Sequence, residues 1–114
     1  MDKIKVVLIK VGSKPKIIEI ENQLEEFQRL VGGYIECVPV QEYEDGRELV
    51  LVGDEEGKLK NKPINFPLVY NGALYDFMVG DVLACMSMDG EFVGSQQDVD
   101  DIMEYLENEN LYLA

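Results

Sequence analysis

The 114-residue sequence contains no histidine and no tryptophan, only two cysteines, and no lysine or arginine after residue 62. Without histidine, Ser-His-Asp triads, imidazole acid–base chemistry and histidine-containing metal sites are excluded. Two separated cysteines, Cys37 and Cys85, cannot make a four-cysteine zinc site alone, and neither has a cationic setting that would favour a thiolate. Each lies in an apolar, strand-like run, so both are expected to be buried free thiols, and nothing points to an oxidising compartment. Phosphate-loop patterns of the GxxxxGK[ST] and GxGxxG types are absent, and no spacing of acids singles out a catalytic pair. Carboxylate-only catalysis is the one enzymatic route left open. The expectation is a protein that is not an enzyme and holds no cofactor and no metal. No apolar run approaches the ~20 residues that span a bilayer. The first ten residues, MDKIKVVLIK, carry charges within a short apolar run and no small-residue cleavage site. A cytoplasmic protein without a membrane partner is expected.

What is abundant is negative charge. The formal net charge is −13, and it is unevenly placed. Residues 1–62 hold 13 acids and all ten bases, whereas residues 63–114 hold ten acids and none. A field of this sign repels phosphate backbones, so direct nucleic-acid binding is disfavoured and a basic partner is favoured. Solubility alone would also account for it. Apolar residues make up 46% of the chain, enough at this length for one domain with a single modest core.

The pattern along the chain is α+β: a mainly antiparallel sheet of five to seven strands with two helices, in the order ββαββββα. Residues 4–9 (IKVVLI) read as a central strand, and residues 16–21 (KIIEIE) as its hairpin partner. Asn22 followed by Glu25 suggests a capping box, with Leu24, Phe27, Leu30 and Val31 forming one helical face that stops at Gly32-Gly33. Residues 34–40 (YIECVPV) read as a strand placed at an edge or bulge by Pro39. Asp45-Gly46 turns into a strand over residues 48–52. Two prolines between residues 58 and 67 speak against a long regular element there. Asn71-Gly72 reads as a hairpin turn between residues 68–70 and 73–76. The apolar run 77–88 breaks at Gly80-Asp81, and Asp89-Gly90 turns into residues 91–93. Ser95 and Asp98 have capping-box spacing ahead of a last helix with Val99, Ile102, Met103 and Leu106 on its apolar stripe.

Two stretches are candidates for a site. In DEEGKLKNKP, residues 54–63, the acids do not fit a calcium loop. Lys58, Lys60 and Lys62 would share one side of an extended chain beside Gly57, and so could hold a phosphate-bearing ligand. A solvated turn whose lysines offset Asp54, Glu55 and Glu56 is the plain alternative. In VGGYIE, residues 31–36, Gly32 and Gly33 could expose amide groups to a ligand and Tyr34 could stack on a ring. The plain alternative there is a helix cap leading into an edge strand.

These two stretches, with IKVVLIKVGSKPKIIEIE before them and DFMVGDVLACMSMDGEFVGS after, resemble a family of small phage and mobile-element proteins known only as a domain of unknown function. The resemblance spans nearly the whole chain and is most specific at VGGYIE and EEGKLKNKPIN. It implies a compact α+β domain with no assigned chemistry, and a site at the glycine pair, the Glu-Gly turn and the segment 63–65. By that analogy the first expectation is capture of a small anionic, nucleotide-like molecule such as a host defence signal. Gly32, Gly33 and Tyr34 would supply amides and a stacking face, Gly57, Lys58, Lys60 and Lys62 the phosphate contacts, and Glu36 or Asn65 bonds to polar edges. A homo-oligomer could place the pocket between subunits. The alternative is an acidic face that mimics DNA or docks on a basic host enzyme, with Asp98, Asp100, Asp101, Glu104 and Glu107 as its contacts.

Overall fold

The computed structural model describes residues 2–70 and 72–109. Its elements are β1 (Lys3–Ile9), β2 (Lys16–Glu21), α1 (Leu24–Val31), β3 (Ile35–Glu42), β4 (Arg47–Asp54), β5 (Ile64–Tyr70), β6 (Ala73–Val79), β7 (Val82–Met88), β8 (Glu91–Val93) and α2 (Gln96–Glu109). The strands form a six-stranded antiparallel sheet in the order β2-β1-β7-β4-β3, with β8 also paired to β7, and a separate hairpin of β5 and β6. The α+β class, the antiparallel pairing and the two helices are as expected. Among the described residues there are eight strands rather than five to seven.

Both sides of the large sheet are covered, which explains why β1, β4 and β7 are apolar almost without interruption. On one side Val99, Ile102 and Leu106 of α2, with Phe66, Leu68 and Met78 of the hairpin, bury Val7, Ile9, Leu49, Leu51, Val82, Ala84 and Met86. On the other, Phe27 and Val31 of α1 cover Val6, Leu8, Val50, Val52, Leu83 and Cys85. The Phe27 ring stacks on Phe92 with centroids 4.8 Å apart. No helix among the described residues is long and apolar enough to cross a membrane.

Several local expectations need correction. The N-cap of α1 is Gln23, without a side-chain cap. Asn22 instead donates its side-chain amide to the Phe92 carbonyl at 3.0 Å, a tertiary bond that draws it away from the helix end. Leu24 is exposed, so the apolar face of α1 rests on Phe27 and Val31. Cys37 is exposed and only Cys85 is buried; both are free thiols. Burial pushes up both thiol pKa values, with Glu36 also raising that of Cys37, so neither thiol is activated. Strand β5 runs straight through Pro67. It can do so because, among the described residues, β5 pairs only with β6, and two register shifts, at Ile64/Phe66 and Leu68/Val69, loosen the ladder on either side. Asn71, the first residue of the expected turn, lies outside the described residues.

Other features follow the sequence pattern. Gly32 closes α1 in the left-handed region, at φ 80°. Strand β3 is an edge, and its register shifts just after Pro39. The capping box of α2 is reciprocal: the Ser95 amide donates to Asp98 at 2.8 Å, and the Asp98 amide to the Ser95 hydroxyl at 3.1 Å.

Candidate functional site

Segment 54–62 is not extended, so the expected row of three lysines does not form. The Lys60 amide bonds the Glu56 carbonyl, that of Asn61 bonds Lys58 and that of Lys62 bonds Gly57, and these bonds wind the segment into consecutive tight turns. Asn61 takes a left-handed conformation, φ 56°, to complete them. At the start of this knot Asp54, the last residue of β4, is buried. Its carboxylate accepts bonds from Lys60 Nζ at 2.8 Å, Lys62 Nζ at 2.7 Å and the Glu56 amide at 2.9 Å. Burial by itself would raise its pKa, but these three donors outweigh it and bring the value down to about 2.

The two candidate stretches do meet in space, in a way that uses up their chemistry. Lys62 Nζ also donates to the Val31 carbonyl at 2.7 Å, and Lys60 Nζ to the Gly32 carbonyl at 3.2 Å. The amides of Gly32 and Gly33 both donate to the Gln28 carbonyl, so neither is open to an anion as expected. The C-terminus of a helix gathers carbonyls and partial negative charge; the two lysines complete it as cations. Gly33 is required by the crowding at this joint. A Cβ there would lie 2.6 Å from Asp54 Oδ1 and 2.7 Å from Lys60 Nζ. Gly33→Ala is therefore expected to cost about 2 kcal/mol, measured as a fall of several degrees in the thermal midpoint. An unchanged midpoint would show that the carboxylate can move aside.

The remaining residues of this candidate divide between framework and surface. Lys58 pairs with Asp76 of the hairpin. Gly57 is buried where a Cβ would meet Val79 at 2.7 Å. Asn65 donates to the carbonyls of Ile9 and Gly80, both at 2.8 Å, and so ties the hairpin to the large sheet. Glu36 lines a cavity of about 140 Å³ between the sheets, with Asp54, Glu55, Lys58 and Asp76. Tyr34 is exposed, and with Arg29, Gly33 and Lys60 it lines an open groove of about 400 Å³.

The acidic helix also differs from expectation, because one base organises it. Arg47, at the start of β4, bonds Asp45, Asp98 and Asp101, each at 2.7 Å, and its guanidinium lies 4.9 Å from the centre of the Tyr43 ring. Hydrogen bonds donated to Asp98 and then Asp101 outweigh burial and hold the guanidinium pKa well above its usual range. Asp98 is buried and cannot serve as a solvent-facing contact, and Asp101 is half-buried against Arg47. Asp100 accepts a bond from Gln96 at 2.9 Å. Asp100, Glu104 and Glu107 are exposed.

Tyr43 stands between two adjoining grooves. One, of about 260 Å³, is lined by Gln41, Asp101, Glu104, Tyr105 and Asn108. The other, of about 280 Å³, is lined by Glu42, Arg47, Glu48, Asp89 and neighbouring turn residues. Among the described residues Arg47 is the only base lining either groove, and its charge is already committed. Glu42, Glu48, Asp89 and Glu104 make no ion pair among the described residues. Sequence patterning missed Tyr43, Glu42, Glu48, Asp89 and Arg47. The available signal was Arg47 itself, the single base between Arg29 and Lys58. A family described as a domain of unknown function (DUF3846) matches residues 4–107. No curated protein and no solved structure matches the chain.

Proposed function

The chain belongs to the DUF3846 family, whose description assigns no function, and we propose that it is a non-enzymatic docking module for a basic protein segment. The observation that supports this reading is the state of Arg47. Its three acidic partners neutralise it, so among the described residues the grooves around Tyr43 keep four carboxylates without a cation. Tyr43 and Tyr105 add ring surface against which the aliphatic stems of lysine or arginine side chains can pack. If the gene lies on a phage or other mobile element, as the resemblance implied, the partner is a host protein.

The test is a titration with a lysine- and arginine-rich synthetic peptide at increasing salt. Binding should fall steeply as screening tightens. The variant Glu42→Gln/Asp89→Asn/Glu104→Gln should weaken it about 10-fold, whereas neutralising Glu19, Glu21 and Glu25 across the molecule should not. Salt-insensitive binding, or equal loss from both variants, would overturn the proposal. A second reading, capture of a small nucleotide-like anion, rests on the exposed Tyr34 ring, since its neighbours Arg29 and Lys60 are already paired with Glu26 and Asp54. Saturable binding of a nucleoside monophosphate that is lost on Tyr34→Ala would select it instead.

A further inference from the structure

We propose that the outward face of the β5–β6 hairpin is where two copies of this chain meet. The inward face is accounted for: Phe66, Leu68 and Met78 are buried in the core. Alternation along the strands sends Pro67, Val69 and Phe77 the other way. In the ladder Pro67 stands opposite Phe77 and Val69 opposite Leu74, with Tyr75 as the extra residue at the second register shift. Ile64, Val69, Leu74, Tyr75 and Phe77 are between 37% and 59% exposed. Taking large side chains at on the order of 200 Å² each, that leaves roughly 500 Å² of apolar surface on one small hairpin, at the upper end for a monomer.

Charge points to the occupant. Asp76 is the only charged residue from 63 to 80, and Lys58 pairs with it. The hairpin is therefore a neutral apolar island on a chain of net charge −13. It offers nothing for a charged partner to read, and two copies meeting there set no like charges face to face. A two-fold contact needs a patch that complements itself, which an uncharged apolar face satisfies. The area is also of the right size. A standard interface buries about 800 Å² per partner, some 65% of it apolar in homodimers, or roughly 500 Å². Each hairpin strand has one edge unpaired among the described residues. Pro67 and the two register shifts blunt those edges, so the contact is face to face rather than strand to strand.

Sedimentation equilibrium of the full chain, from micromolar to near-millimolar concentration and at low and high salt, tests this. The expected result is a monomer–dimer equilibrium that tightens as salt rises, because screening relieves repulsion between the acidic bodies while the apolar contact is kept. Leu74→Glu/Tyr75→Glu should weaken the dimer by ~30-fold or more, with thermal unfolding of the monomer unchanged because both side chains are exposed. A wild-type chain that stays monomeric under every condition overturns the proposal, and so does a dimer that survives the double substitution. The result is independent of peptide binding at the Tyr43 grooves, which lie on other elements.

Discussion

Replacing Arg47 with alanine is expected to destabilise the domain by about 3 kcal/mol, seen as a fall of roughly 10 °C in the thermal midpoint. Arg47 is only 16% exposed and touches Asp98 at 8% and Asp101 at 17%. Removing the guanidinium leaves a buried carboxylate and a half-buried one facing each other without a cation, and that uncompensated pair carries most of the cost. The loss of the ring contact with Tyr43 adds a smaller part. Because the three acids share one partner, the effects should not add. Arg47→Ala combined with Asp98→Asn should cost clearly less than the sum of the two single changes, since the second removes the charge that the first strands. The pH dependence follows from Asp98. Burial would raise its pKa, but the Ser95 amide and Arg47 lower it on balance. Such a group contributes stability above the ordinary carboxylate range and loses it as pH falls through its folded value. The gap between wild type and Arg47→Ala should therefore narrow in acid. A midpoint within about 2 °C of wild type at neutral pH would show that the ion cluster contributes little.

Asp54→Ala should cost about 2–3 kcal/mol. The carboxylate side chain is fully buried, whereas Lys60 and Lys62 keep partial access to water and can recover some hydration when it is lost; this places the cost below that of a wholly buried pair. The Glu56 amide loses its acceptor as well. The folded pKa of about 2 lies below the ordinary value of 3.8, so the stabilisation is complete above 3.8 and disappears as pH drops toward 2. Acid unfolding of the wild type should show this titration, and the variant should lack it. The coupling to Gly33 is a sharper check. In an Asp54→Ala background the methyl of Gly33→Ala no longer meets the carboxylate, so its cost should shrink to well under half. If Gly33→Ala costs the same in both backgrounds, the crowding comes from somewhere other than Asp54.

Periodicity identified the elements whose burial is one-sided or complete: β1 as a central strand, α2 with its Ser95–Asp98 box, the Gly32 cap. It failed where a long-range bond overrode a local one. Asn22 looks like a helix cap in one dimension, but Phe92, seventy residues on, captures its amide. Pro67 looks like a strand breaker, yet a two-stranded ladder demands fewer amides than a central strand does. The two candidate ligand stretches do converge, through Gly33, Asp54, Lys60 and Lys62. Lysine spacing alone could not show that the partners of Lys60 and Lys62 are a buried acid, Asp54, and the far end of α1. The five-acid count along α2 likewise concealed that two of the acids face a single arginine of the adjoining sheet.

The position of β7 makes closure of the large sheet depend on a strand late in the chain. The hairpins β1–β2 and β3–β4 are each local, but they lie on opposite sides of β7, which pairs with both. Until residues 82–88 are available, Val7 and Leu51, both of which pair with Ala84, have no shared neighbour and each half presents an open apolar edge. The late strand thus joins the two hairpins into one sheet. Its loop-closure entropy makes assembly slower than the short hairpins alone would suggest. During synthesis, the interval before β7 emerges is when this chain is most exposed to mispairing.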